Sequence, residues 1–142
     1  MTDVLLDLNV LLDVFLARDP WLVDSAMVFE ANRIGKLSAH ISAISLPTLF
    51  YVVQRKSDIG HARRVVEESL AAFQIITVDR NTFELAQSLP GSDFEDNVQI
   101  AAAILAGVES IITRDATGFA LSPLPILTPA QAIAKYSNHS GS

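Results

Sequence analysis

Five acidic side chains stand at the ends of apolar runs. Asp7 follows Val4-Leu5-Leu6, Asp115 follows Ile111-Ile112-Thr113-Arg114, and Asp93, Glu95 and Asp96 open the apolar stretch that continues to Ala106. Carboxylate oxygens suit a hard divalent cation such as Mg²⁺, which takes a few of them together with waters and a substrate phosphate. Aspartates gathered without a cation repel one another or share a proton. A cation between them would polarise a phosphodiester and activate a water to attack it. That chemistry needs no cysteine, no histidine and no net positive charge. Each acid also has an ordinary explanation. Asp7 or Asn9 can cap a helix. Ser92-Asp93-Phe94-Glu95 fits a capping box, and acids suit a helix N-terminus. Asp115 suits a turn. What points to chemistry is their joint placement at strand ends and a helix start.

The elements that position them follow from periodicity. Val4 to Leu6 predicts a short strand, and Val10, Leu11, Val14 and Phe15 a helix after it. Pro20 suits the first turn of a second helix, in which Val23, Ala26, Met27 and Ile34 recur at helical spacing before Gly35. Leu37 to Ile41 reads as a strand. Ala43 to Lys56 reads as a helix with Pro47 in its first turn, and Ser42 and Ser45 as its caps. Ile59, Ala62, Val66, Leu70 and Phe73 step as one helical face. Ile75 to Val78 is a β-branched strand, and Thr82 to Leu89 a helix. Asp96 to Ala106 is apolar nearly all round, so it is expected to be buried on more than one side and to end at Gly107. Ser110 to Thr113 and Pro125 to Leu127 are strands, and Thr128-Pro129 starts a last helix. Strands alternating with helices predict an α/β fold whose mostly parallel sheet is covered on both faces. Ligands in such sheets bind beyond the carboxyl ends of the strands.

Composition sets the frame. The chain has 142 residues, half of them hydrophobic, and no cysteine, so one domain with an ordinary core is expected and thiolate chemistry is excluded. A domain over residues 1–136 and a polar tail over 137–142 are expected. With 10 basic and 16 acidic side chains the formal charge is −6, so a nucleic-acid substrate would need cations or a local basic patch. Arg55, Lys56, Arg63 and Arg64 form the densest such patch and read as a solvated helix face, with an RNA-backbone contact as the alternative. His40, His61 and His139 lack metal-ligand spacing, and Trp21 with Phe15 and Phe50 with Tyr51 read as core, with a dimer surface as the alternative. Asp3, Asp7 and Asp13 interrupt the apolar opening, so neither a leader nor a membrane span is expected, and the location expected is the cytoplasm.

Read in order, these residues resemble the PIN domain, the fold of VapC-type toxins and related Mg²⁺- or Mn²⁺-dependent ribonucleases. The likeness covers about Val4 to Ala134. Val4-Leu5-Leu6-Asp7-Leu8-Asn9-Val10-Leu11-Leu12-Asp13 is similar to the opening motif, which implies Asp7 as a metal ligand and Asn9 as an organiser of the site. Asp93-Phe94-Glu95-Asp96-Asn97-Val98-Gln99 before Ala101-Ala102-Ala103 resembles the third acidic motif and implies Asp96 as a ligand, with Asp93 and Glu95 as additional acids. Ile112-Thr113-Arg114-Asp115 resembles the last motif, implying Asp115 as a ligand and Thr113 as an organiser; Arg114 lies nearest the site as a contact for a substrate phosphate. Pro125-Ile126-Leu127-Thr128-Pro129 is similar to the segment that closes many members. The resemblance implies a three-layer α/β/α sandwich around about five short strands. It implies Mg²⁺ or Mn²⁺ as cofactor, RNA as substrate, an antitoxin protein as partner in a type II pair, and a homodimer. Two positions depart from the fullest pattern. Thr48 stands where many members carry glutamate, and Gly118 stands where an aspartate often precedes the phenylalanine, here Phe119. The departures raise a second expectation, a PIN-like RNA- or protein-binding module without efficient catalysis, in which Glu at 48 and Asp at 118 would restore activity. A phosphatase of the haloacid type is disfavoured, because Asp7-Leu8-Asn9 lacks the second aspartate of its D-x-D motif.

Overall fold

The first apolar run is strand β1 (Thr2–Leu6), whose side chains alternate between two faces. Val4 and Leu6 enter one hydrophobic cluster and Leu5 another. A computed structural model describes residues 2–136; the expected tail over 137–142 lies outside the described residues. After β1 come α1 (Leu8–Phe15), α2 (Leu22–Arg33), β2 (Leu37–Ser42), α3 (Ser45–Lys56), α4 (Ile59–Ala72), β3 (Gln74–Ile76), α5 (Arg80–Ser88), α6 (Phe94–Ala106), β4 (Ser110–Ile112), a 3-10 turn (Ala116–Phe119), β5 (Ile126–Leu127) and α7 (Pro129–Tyr136).

The strands form one sheet in the order β3-β2-β1-β4-β5, with every neighbouring pair parallel. Val4 on the central strand pairs with Ala39 on one side and Ser110 on the other. The chain winds from β1 out to β3, then crosses back to β4 and β5. Winding therefore reverses between β1 and β4, and a crevice opens beyond their carboxyl ends. Asp7 directly follows β1, and Thr113 to Asp115 follow β4.

Helices cover both faces. Val10, Leu11, Val28, Leu49, Ala62 and Ala132, from five helices, pack on the side of Val4 and Leu6. On the other side Ile100, Ala102 and Ala103 of α6 meet Leu5 and Ile111, while Val98 and Ala101 meet Ala86 of α5. Burial against sheet and helix together explains why α6 is apolar nearly all round. Gly107 ends it at φ +73, and Gly35 follows α2 at φ +81, both in the left-handed region that favours glycine. No helix among the described residues is long and apolar enough to cross a membrane.

Several local expectations are corrected. The buried face of α2 is Ser25, Val28 and Ala31, while Val23, Met27 and Ile34 are exposed. This helix carries apolar residues on every side, so spacing alone does not select its face. Helix α4 buries Ala62, Val65 and Ser69 and exposes Ile59 and Leu70. It packs on α3, and small side chains permit the approach. Pro20 lies before α2 rather than in its first turn. Ser42 and Ser45 do not cap α3; their hydroxyls meet each other at 3.2 Å, and Gln99 donates to Ser45 at 3.0 Å. Asp79 and Thr82 form a reciprocal capping box, so α5 starts ahead of the expected Thr82 and β3 ends earlier than Val78.

Candidate active site

Asp7 ends β1 and begins α1. One carboxylate oxygen accepts the Leu8 N–H at 2.8 Å. The other, Oδ2, accepts the hydroxyl of Thr113 at 2.9 Å. Thr113 is wholly buried at the end of β4. Its Oγ1 also accepts from Asn9 Nδ2 at 3.1 Å and from the Asp115 N–H at 3.2 Å. The side-chain Oδ1 of Asn9 in turn accepts the Arg114 backbone N–H at 3.4 Å. A single hydroxyl thus ties Asp7, the first turn of α1 and the loop carrying Asp115. At Asp7 one oxygen thus caps α1 while the other is tied to Thr113 of the neighbouring strand end.

The third part of the arrangement is the start of helix α6. Its N-cap is Asp93, whose Oδ1 accepts the Asp96 N–H at 3.0 Å, so the capping box expected from Ser92 is corrected by one residue. Three positions on, Asp96 meets the 3-10 turn. A Cβ placed on Gly118 would lie 2.5 Å from Asp96 Oδ2, so the missing side chain is the space the carboxylate occupies. On the other flank a Cβ on Gly91 would lie 2.5 Å from Asn97 Oδ1, and Asn97 Nδ2 donates to the Gly91 carbonyl at 2.8 Å. Asp115 starts the 3-10 turn by accepting the Thr117 N–H at 3.1 Å.

The acids share one electrostatic field. Burial pushes Asp7 above the usual carboxylate range; hydrogen bonds from Thr113 and Leu8 oppose this, and the charges of Glu95 and Asp115 add to it. Asp96 is pushed up to about 6, first by burial and then by Asp93, Asp7, Glu95 and Asp115. Glu95 acts on both aspartates, while Asp93 acts on Asp96 and is engaged as a cap. Among the described residues no three His, Asp or Glu side chains are already gathered as a metal cage. The donors still fit a hard divalent cation in kind: all are carboxylate oxygens, and their mutual repulsion is what such an ion relieves. Asp7 and Asp96 are the residues that would hold it, with Asp115 or Glu95 turning to join. Mg²⁺ keeps several waters and does not need a closed protein cage.

Other expected residues stand apart. The Thr48 hydroxyl donates back to the Ile44 carbonyl at 3.4 Å, a contact within its own helix. Arg114 has an inward partner: its Nε donates to Asp13 Oδ2 at 2.6 Å, and its guanidinium lies 4.0 Å from the Trp21 ring centre. Asp13 is wholly buried and also accepts Arg18 Nε at 2.9 Å. Sequence reading missed Asp13. The available signal was an acid between Leu12 and Val14 on a short apolar helix, which must find a cation if it is buried. Trp21 and Tyr51 are exposed rather than core, whereas Phe15 packs edge-on against Phe29. Arg55, Lys56, Arg63 and Arg64 are exposed around the α3–α4 turn. His40 pairs with Asp3 at 3.1 Å and His61 with Ser57 at 3.0 Å; His139 lies outside the described residues.

The Gly118 contact weighs against the expectation that Asp at 118 would restore activity. Any side chain there must turn Asp96 aside. Turning one carboxylate costs little stability, yet it misplaces a candidate ligand. Gly118→Ala is expected to change unfolding free energy by under about 1 kcal/mol and to lower cleavage about tenfold or more. Urea melts beside initial rates check this; a Gly118→Asp protein more active than the parent would contradict it.

A parallel sheet whose winding reverses between β1 and β4, with acids beyond those strands, places the chain among α/β folds with a site at the switch point. Among these the family is shown: the sequence model described as a PIN domain matches residues 3–117, and the chain belongs to that family. No curated relative matches in sequence. In fold it is similar to DNA-bound VapBC from Salmonella typhimurium (TM-score 0.71, 17% identity, 91% of this chain and 99% of that one). It is also similar to a toxin–antitoxin complex from Klebsiella pneumoniae (TM-score 0.66, 24% identity, 89% and 97%). A third likeness is VapC20 from Mycobacterium tuberculosis, a toxin that cleaves the sarcin–ricin loop (TM-score 0.67, 13% identity, 82% and 93%).

Proposed function

We propose that this chain is a Mg²⁺- or Mn²⁺-dependent endoribonuclease acting as the toxin of a type II toxin–antitoxin pair. The observation that carries the reading is geometric: Asp7 after β1, Asp115 after β4 and Asp96 at the start of α6, packed over Gly118, stand around the sheet's switch point. Fold likeness to toxins in antitoxin complexes supports the setting and a protein partner. A homodimer, as the family resemblance implies, belongs to the same proposal.

A divalent cation, when bound, supplies positive charge to a phosphate and lowers the pKa of a coordinated water. The chain's own residues do the rest. Asp7 and Asp96 hold negative charge at the crevice. Thr113 and Asn9 fix the Asp7 carboxylate and the Asp115 loop. Arg114 faces Asp13 through Nε, and a phosphate contact would fall to its terminal nitrogens. The second reading, binding without efficient cleavage, is favoured by Thr48 and Gly118, which leave the site two acids short of the fullest pattern.

The cation and the proton should compete. The folded chain holds the Asp96 proton more tightly than the unfolded chain, so this contribution to stability is present below the unfolded value of 3.8 and is lost as pH rises through about 6. In EDTA, melting temperature should therefore fall across that window more steeply for the parent than for Asp96→Asn. At neutral pH, Mn²⁺ at ten times its Kd should restore about 1.4 kcal/mol, or about 5 °C for a domain of this size. Equal slopes in the two proteins, or no response to Mn²⁺, would count against a cation site here.

A further inference from the structure

We infer that the cavity beside Asp96 is a pocket for one RNA base, an inference that rests on the ribonuclease reading. The cavity holds about 160 Å³ between the α5–α6 connection, the first turns of α6 and the 3-10 turn. A water takes about 30 Å³, and pockets for drug-sized ligands start at about 300 Å³, so the space suits a single flat heterocycle. Its existence depends on the two glycines, since side chains at 91 and 118 would drive Asn97 and Asp96 from their places.

The lining argues for a base rather than a phosphate or an aliphatic group. Leu89, Ile100, Ala120 and Leu121 give apolar walls for a ring. Leu121 is 61% exposed at this wall, an apolar side chain left in water that a stacked ring would cover. The polar part of the lining includes Asp93, Asp96 and Asn97. Negative charge there opposes a second phosphate and favours a ligand edge that donates hydrogen bonds. The Asp93 cap uses Oδ1, and the second oxygen of that carboxylate is a further acceptor. The amino groups of guanine, adenine and cytosine supply such donors, and carboxylates accept from base amino groups in this way. Asp96 lines the cavity and also belongs to the acidic site. A nucleotide whose phosphate reaches the carboxylates can therefore place its base here, as splayed single-stranded RNA does on other proteins.

The test is an NMR titration of the folded chain with AMP, CMP, GMP and UMP, each with Mg²⁺. The three amino-bearing nucleotides should shift the amides of Asn97, Ile100 and Ala120 and bind more tightly than UMP. Ala120→Phe fills the space from an exposed position and should weaken all of them at least about tenfold, or about 1.4 kcal/mol. Asp93→Asn keeps a competent cap but replaces an acceptor with a donor, and should move preference toward UMP. The pocket is overturned if no nucleotide shifts those amides, or if Ala120→Phe titrates like the parent. Base binding by a protein that cleaves no RNA would sink the ribonuclease reading and leave the pocket standing. Cleavage without any mononucleotide response would do the reverse.

Discussion

Asp96→Asn is expected to remove RNA cleavage by about a thousandfold or more, equivalent to about 4 kcal/mol of barrier, while leaving the fold as stable as the parent or more so. The two effects have one cause. Asp96 sits among Asp93, Asp7, Glu95 and Asp115, and with burial they push its carboxyl up to about 6. Asparagine has nearly the same shape, so it fits the space over Gly118. It removes a charge the apo fold disfavours, and with it an oxygen that a cation needs. Stability should therefore hold or rise at neutral pH while activity disappears, as at other sites that trade stability for function. Asp7→Asn should be equally inactive but less stable, since Asp7 also accepts from Leu8 and Thr113. Initial rates on RNA, read beside urea midpoints for the three proteins, check both claims. An Asp96→Asn protein that is inactive because it is unfolded would not support the account.

The second large effect is on stability. Asp13→Ala should destabilise the fold by about 3 kcal/mol, because removing one partner of a buried ion pair leaves the other uncompensated. Asp13 is wholly buried, with Arg18 on one oxygen and Arg114 on the other. Both arginines are partly exposed, which places the loss toward the lower end for such pairs. Arg114 lies between Thr113, bonded to Asp7, and Asp115, so slack here reaches the site. Cleavage should fall as well, and Asp13→Asn should lose less of both quantities than Asp13→Ala. Denaturant unfolding of the two variants decides it; a loss below about 1 kcal/mol would mean the pair contributes no more than a surface bridge.

Much of this was legible in the sequence, and the reasons are particular. The strand–helix alternation and the all-round apolar α6 follow from periodicity that burial enforces, so the parallel sheet and its covered faces were readable. That Asp7, Asp96 and Asp115 stand beside apolar runs was readable, whereas a ligand role for them came only from the resemblance to the PIN domain and is part of the proposal. What remained hidden was set by contacts across the chain. The face of α2 was misjudged because Val23 and Met27 look as apolar as Val28, and only packing against the sheet selects among them. The Asp13–Arg114 pair joins positions 101 apart, beyond any local pattern. Gly118 reads in the sequence as a lost acid; that it also makes room for Asp96 needs the position of that carboxylate.

The most direct test of the central claim is cleavage of a mixed RNA pool by the purified chain in Mn²⁺, in Mg²⁺ and in EDTA, with Asp96→Asn alongside. The account predicts cleavage in either metal, none in EDTA, and none by the variant in any buffer. Cleavage that persists in EDTA, or that Asp96→Asn carries out at the parent's rate, would contradict it.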